Sequence, residues 1–208
     1  MLTTLPQATA DTAITGLDHP SWIRRAMLIE QVAEAYADGT FTPAQRRQAE
    51  DLFRVAIYDH EVLARSVLAD SLKRMTQVPR DIVLSLARDE AEVARPILRT
   101  SPVLDDDDLA AVAREATHAH RLAIAERDGL SAKVAQALCQ SRDPQVIRTL
   151  IANETAALPE VLLHGILDAL EGVPGIVEAM ERRHALPASV AARLAHAPVF
   201  GYRTALRA

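Results

Sequence analysis

Three arginines, Arg65, Arg95 and Arg148, stand at corresponding places in three similar segments, and they are the residues of this chain best suited to gripping a partner. A guanidinium presents a planar fork of donors that matches a carboxylate or a phosphate. A row of such forks along a helical array can therefore hold an extended acidic segment. Each arginine also follows an aspartate, Asp59, Asp89 or Asp143, and a salt bridge between neighbouring segments is an ordinary use of such positions. The pairing is the simpler reading of the row, and recognition of a partner is the other.

The remaining reactive side chains converge less. Asp105 to Asp108 are four consecutive carboxylates, whereas a calcium loop spaces its ligands at alternate positions and adds a Gly turn and a distal Glu. Carboxylates bunched at a helix start instead complement its unpaired amides and macrodipole. His118 and His120 are two apart and point to different faces of a helix, while zinc helices use a spacing of four. His60-Glu61 is a single dipeptide, short of a ligand set. Cys139 aligns with Ala87 and Ala195, so it is expected to fill a small inward position as an inert thiol. With no Gly-rich phosphate loop and no nucleophile elbow, no catalytic residue, metal or cofactor is expected.

The elements that carry these residues follow from composition and period. Across 208 residues the chain has 7 Gly and 3% aromatics beside 49% hydrophobic residues. That hydrophobic fraction is mostly Ala, Leu and Val, which points to helices packed closely on small side chains. Val78-Pro79-Arg80-Asp81-Ile82, Leu130-Ser131-Ala132-Lys133-Val134, Leu158-Pro159-Glu160-Val161-Leu162 and Leu186-Pro187-Ala188-Ser189-Val190 share one pattern, and Leu104 with Asp105 to Asp108 fits after a one-residue slip. Their starts at 78, 104, 130, 158 and 186 are separated by 26, 26, 28 and 28 residues. A near-constant step of this size signals stacked helix pairs, an α-solenoid of about five to six antiparallel pairs.

In each copy Pro at the first helical position, or Ser or Asp beside it, opens the second helix of a pair. Asp59, Asp89 and Asp143 are expected to cap the first helices, and Thr117 to Glu126 fills the same slot with Leu122 in place of the arginine. A shorter helix over 176–185 supplies the last pair. Upstream, Ser21 caps a helix with Trp22, Ala26, Ile29, Ala33 and Tyr36 on one stripe, and Thr42-Pro43 opens its partner. The organisation read from this is a flexible start over 1–14, one helical-repeat domain over 15–198 and a tail over 199–208. The front capping pair is 21–57 and the repeats are 58–198. Val199, Phe200, Tyr202 and Leu206 are expected to fold over the last groove or, through Phe200 and Tyr202, to make a homodimer contact.

Asp59-His60-Glu61-Val62-Leu63-Ala64-Arg65, Glu92-Val93-Ala94-Arg95-Pro96-Ile97-Leu98 and Arg142 to Arg148 carry a resemblance. The chain resembles HEAT-like repeat proteins, and about Leu52 to Leu170 is similar to an alphaproteobacterial family known as domain of unknown function 2336. The resemblance implies a HEAT-like superhelix and no known chemistry.

A formal charge of -5 argues against nucleic-acid binding, which needs a basic face. One cysteine forms no internal disulfide, and no apolar run reaches the roughly 20 residues a bilayer span requires. A cytoplasmic, non-enzymatic scaffold for a protein or peptide partner is the leading expectation. A HEAT-like DNA glycosylase, or a regulatory or oligomerisation domain of a larger protein, are the alternatives. The glycosylase would need a basic strip and aromatic residues beside a catalytic Asp, and the chain offers only Trp22 near its front.

Overall fold

The computed structural model describes residues 16–170 and 173–196. The expected flexible start, the tail, and Phe200 and Tyr202 lie outside them. Among the described residues there are twelve helices and no strand. Helices start at Arg80, Asp106, Ala132, Glu160 and Ala188, where the 26-to-28-residue step puts them. By compactness the chain divides into two units, 1–112 and 113–208.

The first unit holds α1 (Trp22–Ala37), α2 (Pro43–Ala56), α3 (Val62–Leu72), α4 (Arg80–Ala87) and α5 (Ala91–Thr100), and α6 (Asp106–Glu115) crosses the division. The first helices lie in a row, α1 against α3 and α3 against α5, while α2 and α4 pack beside them. Ala33, Ala64, Ala69 and Ala94 are fully buried, and small residues at these positions let the helices approach closely. Larger side chains fill the space between rows: Ile29, Leu52, Phe53, Leu68, Leu72, Ile82, Leu86, Ile97 and Leu98. Phe53 meets the edge of Tyr36 at 5.5 Å, and the Tyr36 hydroxyl donates to the Gln77 carbonyl at 2.9 Å. The Arg46 guanidinium lies over the same tyrosine ring at 4.4 Å, so the front pair is locked by one amphipathic aromatic.

The second unit repeats the plan with α7 (His118–Ala125), α8 (Ala132–Cys139), α9 (Pro144–Ala152), α10 (Glu160–Ala169), α11 (Ile176–Glu181) and α12 (Ala188–His196). Here α7, α9 and α11 form the row of first helices, α8 packs on α7 and α9, and α12 packs on α10 and α11. Ile147, Ile151, Leu163, Ile166, Ile176, Met180 and Val190 make its core.

Several helix starts differ from expectation. Thr42-Pro43 opens its helix as expected, with Thr42 in a reciprocal cap with Gln45; Pro43 and Pro144 take the first helical position, and Ser131 accepts from the Val134 amide. Pro79 and Pro159, however, sit one residue earlier, at the cap itself. Their fixed φ still sets the entry angle, but a proline side chain accepts nothing from the free amides. Ser21 occupies its cap position without a side-chain hydrogen bond. The last first helix stops at Glu181, short of the expected 185.

Candidate functional site

Several charged side chains pair between helices. Arg25 on α1 donates Nε to Asp59 Oδ2 at 2.6 Å and Nη2 to Asp59 Oδ1 at 2.8 Å, while Nη1 reaches back to the His19 carbonyl at 2.7 Å. Arg65 on α3 repeats this one helix further on: Nε and Nη2 fork onto Asp89 at 2.6 and 2.7 Å, and Nη1 returns to the Asp59 carbonyl at 2.6 Å. In both cases a guanidinium grips the carboxylate in the loop ahead of the next first helix and the carbonyl six residues behind itself. This clamp fixes the register of neighbouring first helices, and its fork-on-fork geometry is the strong form of the ion pair.

These contacts correct the expected role of two aspartates. Glu61 and Glu90, not Asp59 and Asp89, occupy the cap positions of α3 and α5. Asp59 stands two residues before its cap, accepting the Glu61 amide at 2.9 Å, and Asp89 one residue before its own, accepting the Glu90 amide at 2.6 Å. Each thus braces its own turn while holding the arginine of the preceding helix. Burial pushes the Asp59 carboxyl up, yet the Arg25 hydrogen bond, the Glu61 amide and the Arg25 charge together hold it below its usual range. The Arg25 and Asp59 side chains are only 2% and 5% exposed, so water screens this clamp little.

A second line of pairs joins the other row. Arg54 donates to Asp81 at 2.8 Å, and Arg80 forks onto Asp108, with Nε to Oδ2 at 3.0 Å. The Asp105 to Asp108 run therefore divides its labour. Asp105 accepts the Asp108 amide at 2.8 Å as a cap, and Asp108 turns inward to Arg80. No group of three or more potential metal ligands occurs among the described residues.

In the second unit the clamp changes chemistry. Leu122 stands where the arginine would be, and His118, one turn earlier, meets Asp143 with Nδ1 to Oδ2 at 2.5 Å. Asp143 is a true cap here, accepting the Gln145 and Val146 amides. Arg121 turns back to the Ala113 carbonyl at 2.8 Å. His120 is buried against the Thr117 hydroxyl at 2.7 Å, so the two histidines do not share a site. Replacing Asp143 with Ala removes both the cap and the histidine's partner, and is expected to cost about 1–2 kcal/mol in urea unfolding at neutral pH.

The three arginines of the row thus meet different fates. Arg65 is consumed by Asp89. Arg95 lies on the exposed side of α5 and is not a free cation. Arg148 on α9 donates Nη1 to the Pro174 carbonyl at 2.9 Å, and no carboxylate among the described residues pairs with it. It lines a cleft of about 530 Å3 with Ala152, Glu154, Gly175, Glu178, Ala179, Arg182 and Arg183. Arg183 is spent on the end of α9, donating to the carbonyls of Ile151, Asn153 and Ala156 at 2.7–2.9 Å.

Arg25 escaped sequence reading although its signal was present. It follows His19 by six residues, as Arg65 follows Asp59 and Arg95 follows Asp89. Arg183 and Asn153, which caps α7 through the Ala125 and Arg127 carbonyls, left no such pattern. Cys139 packs against the second core, and burial pushes its thiol up to about 12. It is expected to stay unmodified by iodoacetamide in the native protein at pH 8 and to react once unfolded, as read by intact mass.

Paired helices tied by inter-helix ion pairs define an all-helical protein among the described residues. The chain belongs to a bacterial family described as an uncharacterised protein conserved in bacteria, DUF2336, whose profile matches residues 93–198, a little over half of the sequence. The matched stretch begins and ends later than the 52–170 region that carries the resemblance, and so adds the last helix pair, α11 and α12. Searches of the curated proteins and of the solved structures find no match to this chain. No helix among the described residues is long and apolar enough to cross a membrane.

Proposed function

We propose that the chain is a non-enzymatic scaffold, a HEAT-like α-solenoid that receives a protein or peptide partner in the cytoplasm. The observation that carries this reading is a set of large apolar side chains left on the surface of the first unit. Ile23 and Met27, one turn apart on α1, are 53% and 54% exposed, Leu63 on the adjoining α3 is 45% exposed, and Tyr58 between α2 and α3 is 81% exposed. Aromatic residues and Met are enriched where proteins meet. The clamps add support, because Arg25–Asp59 and Arg65–Asp89 recur as a repeat array requires and hold those helices in register.

The probe suited to this surface is a Met27→Glu, Leu63→Glu variant with an unchanged Tm, used beside the wild-type chain in quantitative affinity capture from native cytosol. Altering Arg65 would instead break a clamp and report on folding. A partner retained by the wild type and lost by the variant supports the scaffold. Equal retention by both, or no saturable capture by either, overturns it.

A further inference from the structure

In the second unit, Arg148 has no carboxylate partner among the described residues. In the first unit the loop ahead of each next first helix offers an aspartate to the guanidinium behind it, Asp59 to Arg25 and Asp89 to Arg65. Ahead of α11 the same place is taken by Pro174 and Gly175. Arg148 reaches this loop, where among the described residues its one acceptor is the Pro174 carbonyl, which takes Nη1 and leaves Nε and Nη2, the two donors that fork onto aspartate in Arg25 and Arg65.

The surroundings hold that fork in place. Gly175 has φ of +84°, a conformation L side chains rarely adopt, and a Cβ there would stand 2.9 Å from Arg148 Cδ. The bare glycine backbone is thus the floor on which the arginine stem lies. Arg182 lines the same cleft and is exposed, and its guanidinium makes no hydrogen bond with the described residues. Of the two carboxylates in the lining, Glu154 is already engaged by the His184 amide at 3.2 Å and ring Nδ1 at 3.3 Å. The cleft volume of about 530 Å3 falls among those of ordinary ligand sites.

We infer that the Arg148–Arg182 cleft binds a carboxylate of an acidic peptide segment, which takes the seat against Arg148 that the chain's own aspartates take against Arg25 and Arg65. The occupant is a peptide rather than phosphate because Glu154 and Glu178 are acceptors that can take backbone N–H groups, which a peptide supplies beside its carboxylate and phosphate does not. The inference rests on the scaffold reading only in making the ligand a peptide. It concerns a different surface from that of Met27 and Leu63.

Fluorescence anisotropy with a labelled hexaglutamate peptide, and hexaglutamine as the neutral probe, tests it. Hexaglutamate is expected to bind saturably and hexaglutamine not. Arg148→Gln and Arg182→Gln should each weaken binding about tenfold, the size of one lost hydrogen bond to a charged group. Arg182→Gln is decisive, because it removes no hydrogen bond within the described fold. Arg88→Gln, at another exposed arginine outside the cleft, should change nothing.

The inference is overturned if the two peptides bind alike, if Arg182→Gln leaves binding unchanged, if Arg88→Gln matches its loss, or if millimolar phosphate displaces the peptide. Such a failure leaves cytosolic capture through Met27 and Leu63 intact, whereas failure of the scaffold reading removes that capture and leaves the peptide titration untouched.

Discussion

Replacing Arg25 with Ala is expected to destabilise the protein by about 3–5 kcal/mol, because it strands the buried Asp59 carboxylate. Asp59 keeps the Glu61 amide and, at 3.7 Å, the exposed His60 ring once the guanidinium is gone, and at 5% exposure water does not make up the loss. Urea unfolding at pH 7 measures the loss. The pH dependence has a definite sign. In the wild type the folded pKa of Asp59 is depressed, so its contribution is fully present above the unfolded value, about 3.9, and fades as pH falls through the folded pKa. In the variant, burial dominates and raises the carboxyl, so the variant gains relative stability as Asp59 takes up a proton. The difference between the two proteins is therefore widest near neutrality and narrows on acidification. A gap that stays constant from pH 7 to pH 4 would remove the clamp from the list of stabilising contacts. A double change, Arg25→Met with Asp59→Leu, should recover most of the loss, since removing both charges leaves neither unpaired.

Phe53→Ala is the second large effect, at about 3–5 kcal/mol for an aromatic truncated in a packed core. Phe53 is wholly buried between the front pair and the helices that follow, and its ring abuts Tyr36, whose hydroxyl is held by the Gln77 carbonyl. The tyrosine is anchored at its polar tip, so the site collapses poorly around the gap and the cost belongs at the upper end. Phe53→Leu, which retains most of the volume, should cost less than half as much in the same unfolding measurement. Equal losses for the two variants would mean that the aromatic edge contact, rather than filled volume, governs this core.

The helices themselves were legible because their cause is local. The apolar spacing of Val78 to Ala87 or Leu130 to Cys139, a turn residue before each, and a recurring step of 26 to 28 residues dictate amphipathic helix pairs whatever surrounds them. The ten described helices from Val62 on fall where that pattern puts them, and the front pair where Ser21 and Thr42-Pro43 put it, with ends displaced by a residue or a few, as at Pro79 and Glu181.

What the arginines do was decided only in three dimensions. Arg65, Arg95 and Arg148 look equivalent along the chain, yet Arg65 is clamped by Asp89 and Arg148 has no carboxylate among the described residues. A salt bridge needs two side chains that meet, and those partners lie 24 to 34 residues apart, in loops whose geometry depends on how successive helices stack. Sequence periodicity fixes which residues face inward on each helix. It carries no information on which loop atom a guanidinium reaches, because that depends on the offset between helices, set by the packing of residues such as Ala33, Ala64 and Ala69.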